Sequence, residues 1–137
     1  MPTHSIATHP AVPLDSPASF GGSVTARLTS INSVSGKADG PGEIAGPAVA
    51  MTVALHNGTN RTLALVAVMN LYYGSKRTPA VELAGSQTQP LPSSIGPQKT
   101  ISGVYTFTIA TADRRDVLIE FSYSGSSSVV LFKGGIS

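Results

Sequence analysis

Apolar and polar side chains take turns along most of this chain. Between residues 23 and 32, Val24, Ala26 and Leu28 fall on one side and Thr25, Arg27 and Thr29 on the other. A period of two marks a half-buried β-strand, because successive side chains of an extended backbone point to opposite faces. Residues 48–57 repeat the pattern with Val49, Met51, Val53 and Leu55. Residues 62–73 repeat it with Leu63, Leu65, Ala67, Met69, Leu71 and Tyr73. Residues 100–110 do so with Tyr105, Phe107 and Ile109, and residues 117–123 with Val117, Ile119, Phe121 and Tyr123 opposite Glu120 and Ser122. Residues 80–84 predict a short edge strand and residues 129–133 the last strand. No segment carries a helical stripe.

The breaks between these runs have turn chemistry. Asn57-Gly58 predicts a hairpin joining 48–57 to 62–73, since both residues tolerate positive φ. Residues 33–47 form a long Gly/Pro loop, and residues 87–98, with Pro90, Pro92 and Pro97, form another. These two long loops read as crossovers between sheets. Residues 113–116 are a polar turn in which Asp113 and Asp116 pair locally with Arg114 and Arg115, and residues 125–128 turn the chain again. The whole predicts an all-β chain, a two-sheet antiparallel sandwich of about seven strands. Phe107, Phe121 and Phe132 are its expected aromatic core. Residues 1–20 hold four prolines and two histidines but few large apolar groups. They predict a flexible leader that cannot offset its own ordering entropy. Gly21-Gly22 then releases the chain into one domain spanning 21–135.

A chain of 137 residues suits a single domain with its own core. Cysteine is absent, which excludes disulfides, thiolate metal sites and thiol nucleophiles. Charged residues make up only 12%, and the formal charge is +2 with the basic side chains scattered. That excludes the basic stripe of a nucleic-acid footprint. No apolar run reaches the length of a membrane helix, and residues 1–10 lack the pattern of a signal peptide. Two readings stay open: a cytoplasmic protein, or a piece of an exported one whose export segment has been removed. Met1 set directly before a Pro/Thr/Ser-rich stretch favours the second.

The catalytic inventory is poor. His4 and His9 lie in the expected leader and read as solvated residues. His56 ends a strand on the face opposite Val53 and Leu55, with no neighbouring carboxylate for acid–base work. Asp39 and Glu43 share one loop but fall short of the six to eight oxygens of a calcium site. No serine sits in a nucleophile elbow, and no glycine-rich loop cradles a phosphate. The sequons at Asn57 and Asn60 read as turn residues. The expectation is a protein without catalytic residues, metal or cofactor.

The segment 62–73 departs from simple alternation. Its outward set, Ala64, Val66, Val68, Asn70 and Tyr72, is largely apolar, and Ala48, Ala50 and Ala54 add to it from the preceding strand. A half-exposed strand normally alternates with polar groups. Either the chain covers this face itself, or Ala64, Val66, Val68 and Tyr72 form a contact surface for a partner, with Tyr72 as anchor.

The run PGEIAGPAVAMTVALHNGTNRTLAL, then YYG, an Ile-Gly-Pro loop, the Val-Tyr-Thr-Phe strand and a terminal Leu-Phe-Lys-Gly resemble a known group. The chain resembles the immunoglobulin-like domains of unknown function in exported lipoproteins and membrane-anchored proteins of actinobacteria. The small secreted mycobacterial immunoprotective antigen is similar in fold. The resemblance covers about residues 22–135, and its Pro41-Gly42-Glu43 and Gly46-Pro47-Ala48 motifs are the most specific part. The lipid-modified cysteine is missing, and Gly96-Pro97 stands where the group has Pro-Gly. The resemblance implies an immunoglobulin-like fold and an extracellular or cell-surface location, with no catalytic residues to carry over. The expected function is a non-enzymatic interaction module of the cell envelope that engages another envelope protein. The alternative is a spacer or self-assembling subunit that uses an edge strand or the leader.

Overall fold

The structure, a computed structural model, describes residues 7–8, 10–36, 45–83, 88–123 and 128–136. Its strands are β1 (Ala7–Thr8), β2 (Val12–Pro13), β3 (Ala18–Gly21), β4 (Val24–Gly36), β5 (Gly46–Asn57), β6 (Leu63–Ala64) and β7 (Ala67–Tyr73). They continue with β8 (Thr78–Pro79), β9 (Val81–Leu83), β10 (Ser94–Ile95), β11 (Thr100–Thr108), β12 (Val117–Tyr123) and β13 (Ser128–Gly134). The all-β expectation holds, and each segment expected to be extended contains a strand.

Two main sheets form. The first runs β13-β12-β7-β8, with β1 and β2 both pairing parallel to the outer edge of β13. The second is a curled antiparallel sheet of order β3-β4-β5-β11-β9. β6 and β10 make a separate two-stranded ladder. Both sheets contribute to one core. Met51, Val53 and Leu55 come from β5, Met69 and Leu71 from β7, Phe107 from β11, Ile119 and Phe121 from β12, and Phe132 from β13. Phe107, Phe121 and Phe132 are all buried, as the alternation predicts. Each such side chain contributes about 2 kcal/mol or more by leaving water.

The connections differ from expectation. β5 and β7 lie in different sheets, so Asn57-Gly58 is a crossover and not a hairpin. Neither residue has a positive φ. Gly58 is glycine for a steric reason: a Cβ there would lie 2.6 Å from the Ser23 carbonyl oxygen, to which the Gly58 N–H donates at 2.8 Å. The tight hairpin is at Gly22-Ser23, between β3 and β4. Their φ values of 60° and 70° are the pair of positive angles that a type I′ turn demands. The two long loops, expected as crossovers, join antiparallel neighbours within the second sheet: β4 to β5, and β9 to β11. β4 and β5 extend into the first loop and pair as far as Gly36 and Gly46. In the second, Leu91 and Ile95 are buried in the core.

Buried polar groups hold two of the sheet-to-sheet corners. The Asn57 side chain is fully buried; its Nδ2 lies 2.7 Å from the Arg61 carbonyl and 3.1 Å from that of Gly96, while Oδ1 accepts from the Thr59 N–H at 3.0 Å. At the β11–β12 corner the expected polar turn is one turn of 3-10 helix, Thr111–Asp113, followed by a buried Arg114. Arg114 is 3% exposed. Its Nε and Nη2 donate to the Ile109 carbonyl at 3.3 and 3.0 Å, Nη2 also to Ala48 at 3.3 Å, and Nη1 to Ser33 Oγ at 3.0 Å. The local pairing expected there is therefore absent among the described residues; Asp116 instead bonds Arg77 from the neighbouring turn at 3.0 Å. Chain reversals between sheets leave carbonyls without ladder partners, and these two side chains supply the missing donors.

Residues 10–20 depart from the picture of a flexible leader. β2 runs along β13, and β3 pairs with β4. Ala18 and Phe20 are buried, and the Phe20 ring sits 6.0 Å from that of Phe121 and 5.0 Å from that of Tyr123, edge-on to the latter. The physical reason is the Ala18/Phe20 alternation, which adds a strand to the core despite the flanking prolines. His4, His9, Asp39, Glu43, Pro41 and residues 125–127 lie outside the described residues.

Candidate interaction surface

β7 places its side chains as its alternation requires. Met69 and Leu71 enter the core, and Val68, Asn70 and Tyr72 point to the opposite face. Val68 is 47% exposed and Val66, just before the strand, 69%; these are the two large apolar side chains most open to solvent among the described residues. Ala64 is also exposed but belongs to the β6–β10 ladder. Tyr72 is half-buried.

The register extends this face across the sheet. Val68 stands opposite Ser122, Asn70 opposite Glu120 and Tyr72 opposite Leu118. On the other side of β12, Leu118 faces Lys133 and Glu120 faces Leu131. β8 sets Pro79 beside Tyr72, and β2 sets Pro13 beside Lys133. The outward face is thus an apolar field of Val68, Tyr72, Leu118 and Leu131. Its polar centre is a bond from Asn70 Nδ2 to Glu120 Oε1 at 3.0 Å. None of the four apolar residues belongs to the core or packs against it.

Two features differ from the sequence reading. Leu118 and Leu131 belong to the face but escape a strand-by-strand reading, because only the β7–β12–β13 register brings them beside Tyr72 and Glu120. The alternating positions in 117–123 and 129–133 were the signal that could have found them. Ala48, Ala50 and Ala54 do not join this face: they lie on the other sheet, where Ala48 and Ala54 are buried. The mistaken hairpin at Asn57-Gly58 is the cause.

His56 lies on the outer face of the second sheet, its Nδ1 2.8 Å from Thr100 Oγ1. The shallow hollow around it is lined by Pro17, Thr25, Ala26, Arg27, Ala54 and Thr100, a set without a carboxylate. Among the described residues no three His, Asp or Glu side chains gather where a metal ion could sit. Asn57 cannot be a glycan acceptor in the folded chain, since its amide is buried and bonded. Two phenols are perturbed. Burial pushes Tyr105 above its ordinary 10.0, the bond it accepts from the Leu91 N–H opposes this, and the Glu82 charge adds to it. Burial likewise raises Tyr123 above 10.0.

Comparison with protein families, curated proteins and solved structures finds no match to this chain.

Proposed function

We propose that this chain is a non-enzymatic interaction module of the cell envelope, exported and immunoglobulin-like, that docks another protein on the outer face of β7, β12 and β13. The observation carrying this reading is the field of Val68, Tyr72, Leu118 and Leu131, which stands outside the core around a single polar bond. A sheet face turned permanently to water is usually polar, and an apolar one marks a contact surface. Tyr72 is the anchor: its ring offers apolar area and its hydroxyl a polar tip.

The strand order supports the immunoglobulin-like reading. β4-β5-β11-β9 follows the A-B-E-D order of that fold and β13-β12-β7 its G-F-C order, with β5→β7, β7→β9 (by way of β8) and β11→β12 as the inter-sheet connections between these strands. The exported location rests on the resemblance to actinobacterial envelope domains and on a surface rich in Ser, Thr, Gly and Pro.

The test uses the protein and its Val68→Asp/Leu118→Asp variant as baits in envelope extracts, with reciprocal capture by each recovered partner. The proposal expects a partner that binds the parent and is lost from the variant, while circular dichroism and the urea midpoint stay unchanged. Recovery of the same partners by both baits would sink it.

A further inference from the structure

We infer that Asn57 is a conditional modification site: its side chain closes on the Gly58 nitrogen only when the corner after β5 opens, and the product cannot re-enter the fold. The reaction needs no enzyme. The Gly58 nitrogen gives up its proton and attacks Asn57 Cγ. A C–N bond forms there, ammonia leaves with the proton, and a five-membered succinimide remains. Water then opens the ring at either carbonyl and leaves aspartate or isoaspartate at 57. No oxidant or reductant takes part. Glycine is the following residue that favours this closure, because it has no side chain to hinder the ring. Among the asparagines Asn57 alone has that neighbour; Asn32, Asn60 and Asn70 precede Ser33, Arg61 and Leu71.

The folded corner withholds what that reaction requires. The Gly58 N–H donates to the Ser23 carbonyl at 2.8 Å, so the attacking nitrogen keeps its proton. Asn57 Nδ2 lies 2.7, 3.2 and 3.1 Å from the carbonyl oxygens of Arg61, Ile95 and Gly96. Oδ1 accepts from the Thr59 N–H at 3.0 Å and from Thr59 Oγ1 at 2.6 Å. These bonds hold the amide away from the Gly58 nitrogen, and full burial keeps water from it. The main chain is pinned as well: the Asn57 N–H donates to the Lys99 carbonyl at 2.9 Å, and the Asn57 carbonyl accepts from the Gln98 N–H at 2.7 Å. The same contacts reject the product. Aspartate puts an oxygen where the amide donated, facing three carbonyl oxygens with a buried, unpaired charge. Isoaspartate adds a methylene to the main chain and displaces Gly58, where the Ser23 backbone leaves no room even for a Cβ. A local opening of the corner thus becomes a one-way mark on the chain. This inference concerns a sheet-to-sheet corner and does not rest on the docking face.

Peptide mass mapping of the full chain tests it, read as exchange of NH2 for OH at each asparagine during incubation at mildly alkaline pH. Above the guanidinium midpoint Asn57 is expected to react many-fold faster than Asn60 and Asn70. In buffer alone its rate is expected to fall many-fold. Thr59→Ala removes the hydroxyl bonded to Oδ1 and leaves Gly58 in place. At a fixed guanidinium concentration below the parent's midpoint it is expected to speed the reaction several-fold, with the rate in full denaturant unchanged. On dilution of the denaturant, unmodified chains are expected to regain the parent's circular dichroism and modified chains to stay unfolded or melt at a lower midpoint. Asn57→Asp, made directly, is expected to behave as the modified chains do. Equal rates at Asn57 with and without denaturant would overturn the inference, as would a Thr59→Ala rate no faster than the parent's below the midpoint. So would modified chains that refold to the parent's midpoint.

Discussion

Gly58 and Arg114 show how single side chains decide where this chain changes sheet. Alanine at 58 drives its methyl into the Ser23 carbonyl, and the atoms it meets are Ser23 backbone and Cβ, with no flexible side-chain end to yield. Gly58→Ala is expected to cost about 2 kcal/mol by urea denaturation. Arg114→Met removes the donors that serve the buried Ile109 and Ala48 carbonyls, and its expected cost is about 3 kcal/mol. Arg114→Lys offers one ammonium in place of a planar fork and recovers only part of that loss. Tyr105 and Tyr123 set the alkaline limit. Burial raises both above 10.0, so the folded state prefers the neutral phenols. Their stabilisation is complete below pH 10.0, where the unfolded phenols are neutral too. It is lost as the pH climbs from there through the raised folded values. Tyr123→Phe is expected to shallow that alkaline decline in a series of urea titrations. None of these roles was legible in the sequence. Arg114 reads there as one charge among four in a polar turn, and Gly58 as half of a hairpin signal. Burial and close approach are properties of the tertiary neighbour, which no local pattern names.

Strands were far more legible than their connections. The alternation of β5, β7, β11 and β12 specifies which side chains enter the core, because a slip of one residue would expose every one of them. That logic makes a position on β7 and one just before it behave oppositely. Met69→Ala empties a fully packed site and is expected to cost about 3 kcal/mol, whereas Val66→Ser changes only solvent-facing surface and stays within about 0.5 kcal/mol of the parent. The candidate face was half legible. Val66, Val68 and Tyr72 stand out within one strand, but Leu118 and Leu131 join them only through register. Connections failed for an intelligible reason. Long Gly/Pro loops suggest distance travelled, yet here they close neighbours of one sheet, and two of the sheet changes are made at corners fastened by Asn57 and Arg114.

At the scale of the whole molecule, two sheets contribute to one apolar core, and Ala18 and Phe20 from residues 10–20 join it. A composition window over residues 1–20 dilutes Ala18 and Phe20 among prolines, which is why the segment resembles a leader in the sequence. The structure makes a prediction about its removal: deleting residues 1–15 strips Val12 and Leu14 from their packing against the core and frees the β13 edge. The expected loss is about 2 kcal/mol with the fold retained, read from urea midpoints. What the core leaves outward is the field on β7, β12 and β13. The most direct test of that division is a pair of denaturation curves, Val68→Asp beside Met69→Asp. A carboxylate at 68 is expected to leave the urea midpoint where the parent has it and to abolish partner capture, while a carboxylate at 69 unfolds the protein. Loss of the fold from Val68→Asp would contradict the account, since it would place that side chain in the interior.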